Sequence, residues 1–134
     1  MSKLALILAV LLVLPLSARN QPKSPSVDAD YVSALATANK FLQAWQSHDK
    51  ETAALLLSDH ARGHTSADAL SSFFSTRSEQ AYELFPGRKL APGRYEFPIA
   101  LYSAPEPNHW THPRTSTLRL IHAPNSDWIV DNLP

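Results

Sequence analysis

The chain has 134 residues, no cysteine, and twelve basic and twelve acidic side chains, so its formal net charge is zero. A neutral chain lacks the basic surface that binds nucleic acids or anionic membranes, and we predict no nucleic-acid partner. The absence of cysteine excludes a disulfide scaffold, a thiol enzyme and a lipid-modified lipoprotein, so packing alone must stabilise the fold.

The first eighteen residues have the layout of a secretory signal peptide. Lys3 gives a positive start, residues 4–14 form an unbroken apolar run, and Pro15 precedes the small residue Ala18. This run is too short for a bilayer, which takes about 20 apolar residues in a helix. We predict a signal peptide over residues 1–18, cleaved after Ala18, and a periplasmic or extracellular protein that contacts the membrane only before cleavage. Because Leu16 is large for its position before the cut, an uncleaved anchor is the alternative.

Residues 19–29 are polar and contain two prolines, which predicts a flexible linker ahead of a domain over residues 30–134. The first helix of this domain opens at Asp28 or Asp30, both good N-cap residues. Tyr31, Leu35 and Trp45 belong to an apolar stripe with helical spacing, which predicts about four helical turns.

Two shorter helices are predicted after the first. Asp49 can cap a helix over residues 50–57, and Thr65 or Ser66 can cap a third helix that carries Phe73 and Phe74. Between them, residues 58–64 are polar and contain a glycine, which predicts a link without regular structure.

Glycine and proline punctuate the second half of the chain, and the segments between them predict four strands, over residues 80–85, 94–102, 115–122 and 128–133. Tyr95, Phe97, Ile99 and Leu101 alternate along the second strand and therefore share one face. Pro98 cannot donate to a strand ladder, so it predicts an edge strand or a bulge. Helices followed by an antiparallel sheet, with its last two strands paired, make an α+β fold.

Two segments resemble the nuclear-transport-factor-two-like superfamily. Residues 41–49, Phe-Leu-Gln-Ala-Trp-Gln-Ser-His-Asp, resemble the end of its long first helix, and residues 127–133, Asp-Trp-Ile-Val-Asp-Asn-Leu, resemble its last strand. The resemblance spans roughly residues 30–133. It implies a cystatin-like cone, in which a curved sheet wraps the long helix and leaves a pocket at the open end. It also implies an exported bacterial member without an assigned activity, such as those that serve as accessory modules in cell-envelope proteins.

Three functions are compatible with these observations. The first is a non-enzymatic module that binds a small apolar molecule, a peptide or a cell-envelope protein. The second is a pocket enzyme of isomerase, dehydratase or hydrolase type, in which a histidine or an aspartate acts as general base. The third is a dimerisation module that forms a homodimer through the sheet. No residue stands in a motif that fixes a catalytic role, so we assign no catalytic residue and favour the binding module.

Six side chains are candidates for lining the pocket. His60 and His64 flank a glycine in a link that the resemblance places near the pocket mouth, and His122 shares a strand face with Leu118 and Leu120. Aromatic side chains are mostly spaced for core burial, but some of them can line an apolar pocket. The full set of candidates is Tyr31, Trp45, His60, His64, Tyr95 and His122.

A metal site is not predicted. His109 and His112 lie close in sequence, but prolines bracket their segment and no third or fourth ligand is evident. We therefore predict no metal and no cofactor, and we interpret residues 109–112 as a solvated loop with Trp110 folded over the sheet.

Overall fold

A computed structural model describes residues 26–74, 78–125 and 127–134. The predicted signal peptide and residues 19–25 of the predicted linker lie outside the described residues. The described part of the chain forms four helices followed by a five-stranded sheet. The helices are α1 (Ala29–Gln46), α2 (Lys50–Leu55), α3 (Asp59–Gly63) and α4 (Ala67–Phe74). The strands are β1 (Glu79–Leu84), β2 (Arg88–Ala91), β3 (Arg94–Ala104), β4 (Arg114–His122) and β5 (Trp128–Val130).

Helix α1 forms where the sequence predicts it. Its N-cap is Asp28, whose carboxylate accepts a hydrogen bond of 3.0 Å from the backbone N–H of Asp30. Its apolar stripe is buried against the sheet and the other helices, and comprises Ala34, Ala38, Phe41, Leu42, Ala44 and Trp45. After a sharp turn, the carboxylate of Asp49 accepts the backbone N–H of Thr52 at 3.1 Å and begins α2. The predicted aspartate caps of α1 and α2 are thus confirmed.

Helix α3 occupies the segment predicted to be an irregular link. Ser58 is its N-cap, and its hydroxyl accepts a hydrogen bond of 2.9 Å from the N–H of Ala61. The residues before it pair with β5, because the N–H of Val130 donates to the Leu56 carbonyl and the N–H of Ser58 donates to the Val130 carbonyl. A helix of five residues is too short to show an apolar period, so the sequence pattern misses it.

The sheet is antiparallel and runs in the order β1-β3-β4-β5, with β2 also paired to β3. It curls as a half-barrel around α1, which packs against β1, β3, β4 and β5. The alternation predicted for the long strand is confirmed, since Tyr95, Phe97, Ile99 and Leu101 are all buried on its inner face. Strand β2 is an addition to the predicted four, lying between the Pro-Gly turns on either side of residues 88–91.

Pro98 does not mark an edge strand, so that alternative of the prediction is wrong. It lies in β3, which is paired on both sides, opposite Thr117 of β4. On its other side, the partner of β3 changes from β1, which ends opposite Ile99, to β2, which begins opposite Glu96. The N–H and carbonyl of a strand residue point to the same side. The Pro98 carbonyl accepts the N–H of Phe85 at 3.0 Å, so it points toward the gap between β1 and β2. The backbone N–H that proline lacks would point to the same gap.

The core lies between α1 and the inner face of the sheet. Its largest fully buried side chains are Phe41, Leu42, Phe97, Ile99, Leu118, Leu120 and Val130. Each contributes about 1.5–3 kcal/mol of burial free energy, which is how a chain without disulfides reaches stability. Within the described ranges, no helix has the length and hydrophobicity that a bilayer crossing requires.

Candidate functional site

The inner face of the sheet has two ends with different packing. We call the end around Asp28, Tyr31, Gly87, Tyr95 and Phe97 the closed end. We call the cavity at the other end the open-end pocket, and it is lined by Trp45, Ser72, Phe73, Gln80, Leu101, Ser103, Thr111, His112 and Arg114.

At the closed end, both tyrosine hydroxyls form hydrogen bonds within the protein. The Tyr95 hydroxyl donates a short hydrogen bond to Asp28, and the Tyr31 hydroxyl accepts the N–H of Gly87 at 3.1 Å. The bond to Asp28 raises the pKa of Tyr95 to about 12, since ionisation would place two negative charges together. The same bond lowers the pKa of Asp28 below its ordinary value of 3.8.

Ring packing fills the remaining space at the closed end. Tyr31 packs edge-on against Tyr95 at a centroid distance of 5.7 Å and lies 5.5 Å from Phe97. Trp128 adds a further edge contact with Tyr95 at 5.6 Å. A Cβ at Gly87 would overlap the Phe97 ring and the Glu96 carbonyl, so only glycine fits there. Tyr31 and Tyr95, two of the predicted pocket residues, therefore hold the N-terminus of α1 on the sheet.

The open-end pocket has an aromatic floor and a volume of about 290 Å³. Trp45, at the end of α1, is buried and donates its indole N–H to the Phe73 carbonyl at 3.0 Å. The Trp45 and Phe73 rings stack at a centroid distance of 5.9 Å, and Leu101 of β3 completes the floor from the sheet side. Helices α1 and α4 and the inner face of the sheet thus meet at this cavity.

Polar side chains from three strands form the rim of the open-end pocket. The strand register places Gln80 opposite Ser103, and Arg114 opposite Leu101, so these side chains share the inner face. The loop before β4 is fastened to the same rim, because the N–H and the hydroxyl of Thr111 both donate to the Ser103 carbonyl, at 2.9 Å and 3.0 Å. The arrangement offers hydroxyl, amide and guanidinium groups above an apolar floor.

The described ionisable side chains that line the open-end pocket are all basic. Among the described residues that line it, the ionisable side chains are His112 and Arg114, and neither can carry a negative charge. Neither a carboxylate nor a tyrosine belongs to this lining set. Arg114 is exposed at the mouth, and its guanidinium lies 3.3 Å from the terminal main-chain oxygen of Pro134, slightly beyond the usual hydrogen-bond range.

A more open groove adjoins this pocket at Gln80. It measures about 490 Å³ and is also lined by Gln46, His48, Glu79, Ala81 and Trp110. Trp110 is 48% exposed, and so contributes an accessible aromatic surface beside the pocket. His109 of the same loop pairs with Glu106 at 3.2 Å. No group of three or more histidines and carboxylates in the described ranges is arranged to hold a metal ion.

His60 and His64 lie together at a third place, where His60 belongs to α3 and His64 is its C-cap. Their rings stack at a centroid distance of 4.0 Å, and Nδ1 of His64 lies 3.0 Å from the His60 carbonyl. They line a polar depression of about 250 Å³ with Arg119, Asp131 and other residues. The Asp131 carboxylate accepts a hydrogen bond of 2.7 Å from Ser58. In the described part of the chain, neither imidazole is hydrogen-bonded to a carboxylate.

His122 lies apart from the other candidates. It is exposed at the end of β4, where its ring stacks on Trp128 at 4.9 Å, and its backbone N–H donates to the Gly93 carbonyl. Of the six predicted pocket residues, the structure therefore brings Trp45 to the open-end pocket, His60 and His64 to the polar depression, and Tyr31 and Tyr95 to the closed end.

Comparison with known proteins gives the fold. No protein-family model matches the chain, and no curated protein matches it in sequence. Among solved structures, it is similar to a ketosteroid isomerase-like protein from Erwinia carotovora atroseptica, with a TM-score of 0.59 and 15% identity over 78% of this chain and 93% of that chain. An uncharacterised protein with a cystatin-like fold from Caulobacter vibrioides gives a TM-score of 0.56 and 14% identity over 78% and 87%.

A third structure, of a protein from Mycobacterium tuberculosis, gives a TM-score of 0.53 and 14% identity over 75% of this chain and 86% of that chain. At these identities the likeness concerns the fold alone. The cystatin-like, nuclear-transport-factor-two-like cone that the sequence resemblance implies is confirmed.

Proposed function

Given the nuclear-transport-factor-two-like fold, we propose that the chain is a non-enzymatic module that binds a small molecule in the open-end pocket. The observation that carries this proposal is the composition of the pocket, an apolar floor of Trp45, Phe73 and Leu101 under a polar rim. Ligand sites are mainly apolar with a few polar groups that orient the ligand. At about 290 Å³, the cavity suits a ligand of one or two rings.

The same pocket argues against isomerase-type catalysis. An isomerase of that type needs a carboxylate base and hydrogen-bond donors aimed at one oxyanion. The described residues lining the open-end pocket include no Asp, Glu or Tyr. The Tyr95 hydroxyl, which could otherwise stabilise an oxyanion, is bonded to Asp28 at the other end of the sheet.

A pocket enzyme at the polar depression of α3 is the second candidate. It is favoured by one observation, that His60, His64 and Asp131 line the same depression. A general base needs a partner that orients its imidazole, as a carboxylate does in hydrolases. Asp131 bonds to Ser58 instead, and His64 faces a backbone carbonyl, so this candidate ranks below the binding module.

The site of action is proposed from the first eighteen residues, whose charged start, apolar run and small terminal residue support export. Expression of the full chain in a bacterial host, followed by mass spectrometry of the product, tests this. We expect a chain that begins at Arg19. A product that retains residues 1–18 would contradict cleavage and leave the anchor as the better interpretation.

Binding is tested by NMR. Naphthamide, an uncharged two-ring probe, is added to isotope-labelled protein expressed from the given 134-residue sequence. We expect saturable shifts of the Trp45 indole N–H and of the Leu101 methyl groups. Shifts confined to His60, His64 and their neighbours would favour the second candidate instead. Absence of any saturable shift with both naphthamide and its acid, naphthoate, would overturn small-molecule binding in the open-end pocket.

A further inference from the structure

We infer that the open-end pocket selects organic acids, molecules that carry a carboxylate on an apolar ring system. This inference rests on the proposed function and names the chemical class of its ligand. It is carried by the position of Arg114, whose side chain shares the inner face of the sheet with the apolar floor.

The register of β3 and β4 determines where the guanidinium lies. Arg114 pairs with Leu101, a residue of the pocket floor, so both side chains are on the concave side of the sheet. Leu101 is buried, whereas Arg114 is the first residue of β4 and is exposed at the mouth. A ligand whose ring lies on Trp45 and Leu101 would therefore direct its other end toward Arg114.

One described group competes with a ligand for the Arg114 guanidinium. This group is the terminal main-chain oxygen of Pro134, the last residue of the given sequence, at 3.3 Å, and no side-chain ion pair in the described part of the chain involves Arg114. Glu79 is next to Gln80 in sequence, but the register places it opposite Ala104, on the outer face of β1. Glu106 pairs with His109. A ligand carboxylate would consequently meet no acidic side chain among the described lining residues, and it would compete only with the long contact from Pro134 for the guanidinium.

The geometry of the guanidinium favours a carboxylate over an uncharged amide. Arginine donates two parallel hydrogen bonds to a carboxylate, and such charge-assisted pairs are stronger than neutral ones. The rim hydroxyls of Ser72 and Ser103 can donate further bonds to the same head group. Because Arg114 is exposed, water weakens the pair, and we expect a preference of about tenfold rather than a large one.

The experiment compares naphthoate with naphthamide, which share a ring system and differ in charge. NMR titration of the same labelled protein gives both dissociation constants, with the Trp45 indole N–H as the reporter. We expect naphthoate to bind about tenfold more tightly at low salt, and the difference to shrink as salt rises. Arg114→Gln should abolish the preference, so that the ratio of the two dissociation constants falls from about tenfold to about one.

Arg119→Gln is the matched control, because Arg119 is on the same strand but opposite Glu96, on the outer face of the sheet. It removes one positive charge and should retain the preference for naphthoate. Equal binding of the two probes by the parent protein would overturn the inference and leave the proposed function intact. An equal loss of preference in both variants would also overturn it, because the net charge of the protein, and not the position of Arg114, would then determine the preference for naphthoate.

Discussion

The closed end and the open end of one sheet use similar side chains for different purposes. At the closed end, Tyr31, Tyr95 and Phe97 pack ring against ring, and both tyrosine hydroxyls are bonded within the protein. At the open end, Trp45 and Phe73 also stack, but the surrounding side chains leave a cavity of about 290 Å³. Aromatic rings near polar groups therefore indicate a binding site only where packing leaves space beside them.

This difference has a functional consequence. The Tyr31 and Tyr95 hydroxyls and the Asp28 carboxylate are at the closed end, where they cap and fasten α1. The cavity is at the other end, where the described lining has one possible sign of charge. Separation of these groups from the cavity is the physical reason for favouring a binding module over an isomerase-type enzyme.

The largest expected effect is a loss of stability when the packing of the closed end is disrupted. Gly87→Ala should lower the free energy of unfolding by about 1–3 kcal/mol, because the added methyl group overlaps the fully buried Phe97 ring. Chemical denaturation measures this change. Gly63→Ala is the matched control, since nothing lies within 4 Å of its Cβ position, and it should be neutral or stabilise by about 0.4–1 kcal/mol. Equal effects of the two variants would show that the closed end is not tightly packed.

A smaller effect of opposite sign is expected at the open end. Ser103→Leu places an apolar side chain in the cavity, and we expect the free energy of unfolding to stay constant or rise by up to about 2 kcal/mol, as other cavity-filling changes do. The same variant should lose naphthamide binding, measured by NMR. A variant that is destabilised as strongly as Gly87→Ala, or that still binds naphthamide, would contradict the described cavity.

The smallest effect concerns the pH dependence of the closed end. The folded pKa of Asp28 lies below 3.8, so its bond with Tyr95 contributes stability above pH 3.8 that is lost as pH falls through the folded pKa. The folded pKa of Tyr95 is about 12, so the contribution is full below pH 10.0 and is lost as pH rises through 12.

Tyr95→Phe should therefore melt at a lower temperature than the parent protein between these limits, with the gap narrowing at both extremes. Thermal denaturation followed by circular dichroism across pH measures it. A constant gap at every pH would show that the hydroxyl acts through packing and not through its bond to Asp28.

The fold could be predicted where local patterns are long. Helix α1 has enough turns to show its apolar stripe, and β3 has enough residues to show its alternation. Helix α3 and strand β2 escape prediction because five and four residues are too few for a period to appear. The segment before α3 pairs with the distant β5, as Ser58 does with Val130, whereas β2 pairs locally with β3 across the turn at Gly93.

The candidate site was less predictable than the fold. Trp45 could be proposed because it ends the apolar stripe of α1, at the position where the cone opens. Gln80, Ser103 and Arg114 carry no signal of their own, since polar residues at strand ends are ordinary. Their convergence depends on the register between β1, β3 and β4, and a shift of one residue would move them to the outer face.

The most direct test is to locate the binding site of a ring probe on the protein. Intermolecular nuclear Overhauser effects between naphthoate and the protein measure this by contact. We predict effects from the naphthoate ring to the Trp45 indole and the Leu101 methyl groups. Effects only to side chains outside the open-end pocket, such as Val32 and Leu84 in the groove beside α1, would contradict the assignment of that pocket as the ligand site.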